Sequence, residues 1–231
     1  MKKIILFILV FSISYSIFSQ EKKFSGGLYI GPGLSWLGSD SKSVEKNGIK
    51  AGYSFGALLD INFANNFAFA TGLTFNNYGG KIKYPYGATG IEWQESGTSS
   101  ELPANSELLY KLNYLAVPLG FKGKTNEIGY VTYFLKAGFT PMVNIKSKAD
   151  IGDYKNELIG DEINLFNLGW HIGGGIEITL AGNTRLLIEI LYNGGLFDVD
   201  KTEIYSSATK DKKTNPKTVF NDVGLKIGIM F

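Results

Sequence analysis

Hydrophobic and polar residues alternate with a period of two along most of the chain. This alternation occurs in eight segments, and beyond Gln20 no apolar stretch approaches the roughly twenty residues that a membrane-spanning helix needs. The segments are 24–36, 50–63, 67–84, 109–122, 129–146, 164–180, 185–197 and 218–231. Because a period of two places successive side chains on opposite faces of a strand, the pattern predicts an all-β protein of eight strands.

The connections between these segments alternate in length. Three are short turns, at 64–66, 123–126 and 181–184. The other four are long and rich in Ser, Thr, Asn, Gly, Lys and Glu, at 37–49, 85–108, 147–163 and 198–217. Short turns at one end and long loops at the other predict an up-and-down meander, the topology of an eight-stranded antiparallel transmembrane β-barrel. A lipocalin-like soluble barrel is the alternative.

The two faces of the strands distinguish these alternatives. In the sixth segment one phase is apolar, as at Leu168 and Ile172, whereas the other carries Gly173, Gly175 and Glu177. A soluble barrel would show charged residues rather than glycine on its outer surface. We therefore expect the apolar phase to face lipid and the glycine-rich phase to fill a lumen that has room only for side chains. Pro118 falls on this inward phase and predicts a bulge or kink.

Aromatic residues of the apolar phase lie where lipid headgroup belts are expected. Those beside the short turns are Phe63, Phe67, Phe121 and Phe231, and those toward the long loops are Trp36, Tyr53, Phe75 and Tyr192.

The first nineteen residues have the layout of a secretory signal peptide. Two lysines precede an apolar run from Ile4 to Phe11, and Ser19 comes before a polar start. A membrane anchor is the alternative, but the uninterrupted apolar run is short for a span. We expect cleavage after Ser19, which divides the chain into a signal peptide (1–19) and one barrel domain (20–231).

Charge and cysteine content exclude several function classes. The 231-residue chain has 23 basic and 21 acidic residues, and the predicted leader holds two of the lysines, so the mature chain is formally neutral. Nucleic acid is not expected as a partner, because binding to it requires a clustered basic excess. The absence of cysteine excludes disulfides, cysteine-ligated metal centres and a lipoprotein anchor. We expect no cofactor and no metal.

The chain ends in an alternating apolar strand with a terminal phenylalanine. This end resembles the terminal β-signal that the outer-membrane insertion machinery recognises, although an isoleucine stands where an aromatic residue is frequent. The predicted signal residues are Val223, Leu225, Ile227, Ile229 and Phe231. The resemblance implies that the barrel-insertion machinery is a partner.

The fourth segment contains Leu112-Asn-Tyr114-Leu-Ala116-Val-Pro118-Leu-Gly-Phe-Lys122. This run resembles the "YLEIPL" strand of the PorT-like outer-membrane β-barrel family of Gram-negative bacteria, barrels of the OmpA/OmpX-like eight-stranded kind. Ala116 stands where that family often has Glu. The resemblance implies the fold and an outer-membrane location, and it implies a link to type IX protein secretion only weakly.

Charged residues on the inward phase are the most specific chemical feature. The predicted lumen network consists of Asp60, Lys122, Lys136, Glu177, Glu189 and Lys226. Counted from the turns, most of them should form one layer, with Glu177 and Glu189 directly opposed across a hairpin. Because buried ions are costly unless they are paired, we expect a salt-bridge network that seals the barrel. A gate, a proton path or an acid dyad is the alternative.

His171 is the sole histidine and lies on the inward phase, near the external end of the sixth segment. It is the only candidate general base for an outer-membrane hydrolase, but no His-x-Ser motif surrounds it. The loop segment 210–213, Lys-Asp-Lys-Lys, is a candidate contact for lipopolysaccharide phosphates.

Taken together, these patterns predict a non-enzymatic, monomeric outer-membrane barrel with a sealed lumen. Its long loops would bind a ligand outside the cell or support a cell-envelope or secretion assembly, and its other partners would be outer-membrane lipids and lipopolysaccharide. Small-solute transport and a hydrolase that uses His171 are the alternatives.

Overall fold

A computed structural model describes residues 23–39, 45–85, 88–91, 100–102, 105–152, 154–159, 163–199, 204–205, 213–214 and 217–231. The predicted signal peptide lies outside these residues. No helix within the described ranges is long and apolar enough to cross a membrane.

Antiparallel strands close into a single ring with eight positions. Each position, called a stave below, is filled by one strand or by two strands in succession. The ring consists of β1 (Phe24–Ser39), β2 (Glu45–Ala64), β3 (Phe67–Tyr84), β6 (Ser106–Ala116) with β7 (Leu119–Lys124), β8 (Val131–Ile151), β10 (Phe166–Ala181), β11 (Thr184–Gly195) and β14 (Thr218–Met230). Pairing of β1 with β14, from Gly27 opposite Met230 to Ser39 opposite Thr218, closes the ring. The predicted eight-stranded antiparallel meander is confirmed, because every stave pairs with its neighbour along the chain.

The fourth stave is interrupted at Val117 and Pro118, between β6 and β7. Proline has no N–H to donate to the ladder, so the regular pairing stops there. The backbone N–H of Val117 donates to the Pro141 carbonyl at 3.0 Å, and pairing with β8 resumes at Leu119. The kink predicted at Pro118 is confirmed.

Several strands extend further toward the long loops than the sequence pattern predicts. β2 begins at Glu45, β8 runs to Ile151, and β9 (Tyr154–Leu158) turns back to pair with β8. The expectation that 147–163 is a loop was therefore wrong over much of its length, as it was for 45–49.

The reason for these extensions is an exchange of polarity between the two faces of the strands. On β3 the outward positions change from Phe69 and Phe75 to Lys81, while the inward positions change from Asn76 to Ile82. Above this polarity switch the strand faces water outside and an apolar core inside. A strand predicted from one continuous apolar face therefore stops at the polarity switch, whereas the pairing in β2 and β8 continues beyond it.

The ring is taller on one side than on the other. The tall wall contains β2, β3 and β8, of 20, 18 and 21 residues, whereas β10, β11 and β14 have 16, 12 and 13. Short strands from the second and fourth long connections form a separate small sheet. They are β4 (Ala88–Ile91), β5 (Ser100–Leu102), β12 (Ile204–Tyr205) and β13 (Lys213–Thr214).

Aromatic side chains on the outer surface group at both ends of the apolar band. Beside the short turns, the ring centroids of Phe63 lie 6.4 Å from Phe67 and 6.5 Å from Phe121. Toward the long loops, Tyr53 stacks near Phe75 at 6.1 Å and Trp36 lies 6.4 Å from Tyr192. These two groups occupy the positions that the headgroup belts of a membrane barrel require.

Candidate functional site: the charged lumen

The lower lumen, near the short turns, contains a buried cluster of four charges. Lys122 on β7 donates to Asp60 Oδ2 on β2 at 2.6 Å and also to Glu177 on β10. Arg185 on β11 binds the other oxygen of Glu177 and donates to the Ser25 hydroxyl at 3.0 Å. Two cations thus face two carboxylates across the width of the barrel, which compensates for the loss of hydration that burial imposes on each charge.

A second ionic pair joins β8 to β11. The Lys136 ammonium lies 2.7 Å from Glu189 Oε1 and 2.9 Å from Oε2, and both residues are buried. Lys226, the Cα partner of Glu189 on β14, points its ammonium at the ring of Tyr29, 4.4 Å from the centroid. Within the described residues, no carboxylate oxygen lies within 4.0 Å of the Lys226 ammonium.

The predicted opposition of Glu177 and Glu189 is wrong. Glu177 faces Leu187, and Glu189 faces Gly175. The pairing shifts between Thr179 and Ala181, close to the turn. A symmetrical count from the turn does not include this shift in register. Because of the shift, Glu177 and Glu189 are not cross-strand partners. Glu177 instead binds Lys122 and Arg185, and Glu189 binds Lys136.

The predicted single layer is likewise replaced by two sets of contacts. Asp60, Lys122 and Glu177 belong to the lower cluster, whereas Glu189 binds Lys136 and Lys226 packs on an aromatic ring. The sequence reasoning placed all six residues on the inward phase, and all six are buried.

Further charged residues on the inward phase were left out of the predicted network. Arg185 has the same parity as Glu189 on β11, and Asp222 the same parity as Lys226 on β14, so phase alone could have identified both. Asp222 accepts a hydrogen bond from Asn193 Nδ2 at 3.1 Å. Half-buried Lys50 on β2 and Lys124 on β7 share this inward phase, and their ammonium groups donate to Asn77 Oδ1 and, at 2.6 Å, to Asn62 Oδ1.

The upper lumen, toward the long loops, is filled by apolar and aromatic side chains. Tyr78 and Phe220 stack with centroids 4.8 Å apart, and Tyr114 lies 6.3 Å from Phe220. Leu112 packs in the same buried cluster, which we call the upper plug. The other members are Leu37, Ile82, Tyr84, Leu108, Tyr110, Ala116, Met142, Ala149, Ile151, Ile159, Ile163 and Val199. The prediction of a lumen filled only by glycine, small residues and charges misses this plug.

Two small cavities of about 20 Å³ each lie inside the barrel beside Lys136 and His171. Such a volume holds about one water molecule. At the short-turn mouth, an open basin of about 1070 Å³ ends at Ser25 and Arg185, on the lower charge cluster. Solvent at the short-turn mouth therefore reaches the lower charge cluster.

His171 lies on the inward phase of β10, five residues from its external end at Phe166, as the sequence predicts. The side chain is 2% exposed, and Nδ1 is 2.8 Å from Thr140 Oγ1. A histidine beside a hydroxyl is half of a hydrolytic arrangement. Here the pair is enclosed by the lumen walls, and the adjoining cavities are too small for a substrate.

Metal binding has no support in the same region. Among the residues that the structure describes, no group of three or more His, Cys, Asp or Glu side chains could hold a metal ion.

The predicted insertion-signal residues lie on the outer face of β14. Val223, Leu225 and Ile227 are 39%, 36% and 45% exposed, and Phe231 is 56% exposed. The Phe231 N–H donates to the Gly26 carbonyl at 2.7 Å, so the last residue is hydrogen-bonded to β1 at the closing seam. Recognition of this row by an insertion machinery stays a prediction.

A closed eight-stranded ring with an apolar outer band and aromatic belts at both of its edges defines the class of outer-membrane β-barrels. A family model described as "Outer membrane protein beta-barrel domain" matches residues 18–201. The chain belongs to this family, and it is an outer-membrane β-barrel protein. The finer resemblance to PorT-like barrels stays a prediction.

The solved structures to which the chain is similar are distant from it in sequence. Neisserial surface protein A has 12% identity and a TM-score of 0.42, with 88% of this chain and 95% of that one covered. Ail of Yersinia pestis has 14% identity and a TM-score of 0.39, covering 90% and 99%. OprG of Pseudomonas aeruginosa has 9% identity and a TM-score of 0.45, covering 89% and 96%. A comparison with curated proteins finds no match.

Proposed function

We propose that this outer-membrane barrel is a non-enzymatic scaffold with a sealed lumen, whose external parts bind a ligand or support a cell-envelope assembly. The observation that carries the proposal is the filling of the lumen, by ion pairs below and by aromatic side chains above. A pore needs a continuous column of water, and the cavities beside His171 hold about one water molecule each. The protein therefore acts through its outer surface.

Electrical recording of the purified full chain in a planar lipid bilayer tests the sealed lumen. We expect no ion-conducting steps at neutral pH, under conditions in which a general porin conducts. Folding of the same sample is checked by heat-modifiable gel mobility. Regular unitary steps from folded protein would contradict the proposal and favour small-solute transport.

The absence of substrate access supports a non-enzymatic role. The Thr140–His171 pair is the only arrangement in the described lumen that joins a hydroxyl to the sole imidazole, and both residues are buried. A hydrolase of lipids or peptides must bring a scissile bond within hydrogen-bond reach of its base. The walls around His171 leave no room for one.

Support of a secretion assembly is the more specific part of the proposal, and it rests on the resemblance of Leu112–Lys122 to the PorT-like family. We propose that the barrel is a monomer, that the insertion machinery recognises its final strand, and that it contacts outer-membrane lipids and lipopolysaccharide. Deletion of the protein from its native bacterium, scored for the appearance of type IX cargo at the cell surface, tests the secretion link. Unchanged cargo would remove the secretion role and leave the sealed barrel intact.

A further inference from the structure

The outer face of β3, β6 and β8 bears an excess of lysine directly above the polarity switch. On β3, β6 and β8 the outward positions above the switch carry five lysines and two acids, Glu107 and Asp150. Lys83 lies opposite Glu107 on β6 and, on its other side, opposite Glu45 on β2. The remaining four lysines, Lys81, Lys111, Lys146 and Lys148, are called the outer lysine patch below.

Strand register brings the members of the outer lysine patch together. Lys111 on β6 is the Cα partner of Lys148 on β8, and Lys146 is the next outward residue on β8. Like charges directly opposite each other destabilise a sheet. Asp150 offsets only part of this repulsion, because its carboxylate binds Lys111 at 2.7 Å. The outer lysine patch therefore keeps an excess of positive charge, because Asp150 neutralises only one of its four lysines.

The depth of the patch in the membrane indicates the source of those anions. Ile145, 54% exposed, is the last outward apolar residue on β8, and Lys146 follows it directly. A strand tilted by about 40° climbs about 2.5 Å per residue along the membrane normal. Lys146, Lys148 and Lys111 thus lie within about 10 Å of the edge of the apolar band, which is the depth of the lipid headgroups.

The opposite side of the barrel lacks this feature. On β1, β10, β11 and β14 the outward positions at the long-loop end are apolar, aromatic or amide residues, among them Trp36, Trp170, Tyr192 and Asn221. Trp170 and Tyr192 pack with centroids 5.2 Å apart, and Tyr192 donates to Asn221 Oδ1 at 2.7 Å. The lysine excess is therefore confined to one side of the ring, whereas aromatic residues of the upper belt occur on both sides.

We infer that the outer lysine patch is a binding site for the phosphate groups of an outer-leaflet lipid. The lipid's acyl chains would lie against the apolar surface below Ile145, and its phosphates would bridge Lys111, Lys146 and Lys148, with Lys81 above them. Lysine is suited to this role because its alkyl stem lies along apolar surface while the ammonium reaches the headgroup layer. The inference depends on the outer-membrane location and is independent of the sealed lumen.

Native mass spectrometry of the full chain, purified from outer membranes and released from detergent micelles, tests the site. The probes are a lipid A that carries two phosphates, the same lipid after removal of both phosphates, and inorganic phosphate as a competitor. We expect the phosphorylated lipid to be retained, the dephosphorylated lipid to be lost, and millimolar inorganic phosphate to compete poorly. Equal retention of both lipids, or full displacement by inorganic phosphate, would overturn the inference.

Matched variants localise the site. In Lys81→Gln/Lys146→Gln/Lys148→Gln, affinity for the phosphorylated lipid should fall about 100-fold, since each surface lysine contributes about 1 kcal/mol toward an anionic lipid. The corresponding triple arginine variant should retain binding because the charge is preserved. Lys217→Gln, directly before β14 at its long-loop end on the opposite side, should leave the affinity for the phosphorylated lipid nearly unchanged. If Lys217→Gln lowered the affinity for the phosphorylated lipid as much as the loss of one patch lysine does, the site would not be localised to the patch.

Discussion

Lys122 is the residue on which the lower lumen cluster depends. Its ammonium is shared by Asp60 and Glu177, and Glu177 has a second cation in Arg185, whereas Asp60 has no other ion-pair partner among the described residues. Removal of one member of a buried ion pair leaves an uncompensated charge, which is more costly than removal of the whole pair. The two carboxylates should therefore respond differently to the loss of Lys122.

Replacement Lys122→Met should lower the free energy of unfolding by about 3 to 5 kcal/mol, because it leaves the Asp60 carboxylate buried and unpaired. Adding Asp60→Asn to this variant should restore part of the loss, since it removes that charge. Equilibrium unfolding by urea in lipid vesicles measures both changes, with exposed Lys23→Met as the control. A double variant less stable than Lys122→Met would refute the assignment of Lys122 as the partner of Asp60.

Asp150, outside the apolar band, has an ion pair accessible to titration. Partial burial opposes its ionisation, but hydrogen bonds from the Lys111 ammonium and the Asn156 N–H outweigh that effect and hold the pKa of Asp150 below its ordinary value. A lowered pKa means that the contribution to stability is present above the unfolded-state pKa and is lost as pH falls through the folded-state pKa.

Carbon-13 NMR titration of the Asp150 carboxyl should give a pKa below the ordinary value of about 3.9. In Lys111→Met the pKa should rise, because the ammonium no longer favours the charged form. Lys155→Met is the comparison and should raise the pKa less, because Lys155 acts on Asp150 through its charge alone and makes no hydrogen bond to it. An unchanged pKa in Lys111→Met would show that the pair does not form in solution.

At the scale of strands, close approach of neighbouring backbones sets the shape of the barrel. Gly138 on β8 is the Cα partner of Gly120 on β7, directly after the interruption at Pro118. A Cβ on Gly138 would collide with the Leu119 carbonyl and the Gly120 Cα, whereas a Cβ on Gly120 would lie 2.8 Å from His171 Nε2. Only glycine permits the approach of these two strands beside the buried imidazole.

Replacement Gly138→Ala should destabilise the barrel by about 1 to 3 kcal/mol, because the added methyl group forces backbone to move against backbone. Gly123→Ala, on β7, should be tolerated, since its Cβ would meet nothing closer than 3.7 Å, at the Phe67 ring. The midpoint of heat modification on gels and urea unfolding give the comparison. Equal stability of the two variants would mean that the strands can separate without penalty.

For the whole molecule, the lumen is blocked by two independent means in series. The upper plug contains the stacked Tyr78 and Phe220, and the lower cluster holds Lys122 between two carboxylates. The two regions share none of these residues. Opening one of them should therefore not produce a channel.

The variant Tyr78→Ala/Phe220→Ala should be less stable, because each truncation of a buried aromatic costs about 3 to 5 kcal/mol. It should nevertheless remain non-conducting in planar bilayers wherever it folds, since the ion pairs below are untouched. Heat-modifiable mobility identifies the folded fraction. Clear conducting steps from folded double variant would show that the plug alone seals the barrel.

Much of the fold could be predicted because a strand in a membrane barrel has one obligatory apolar face. The alternation around Ile172 and Gly173 identifies which residues face lipid, and Pro118 identifies the break in the fourth stave. The same parity argument places all six predicted charges in the lumen and extends without change to Arg185 and Asp222. Strand ends such as Glu45 and Ile151 escape it, because the apolar face changes sides above the membrane.

The sequence by itself determined the number of strands, the order of turns and loops, and which charged residues face inward. These features follow from the period of two and from the free-energy cost of exposing backbone groups or charges to lipid. Tertiary structure alone decided which charges pair. The shift near Thr179 separates Glu177 from Glu189, and the registers of β3 with β2 and with β7 bring Lys122 to Asp60. Such contacts join residues distant in sequence, so their geometry depends on the register and closure of the ring, which no local pattern encodes.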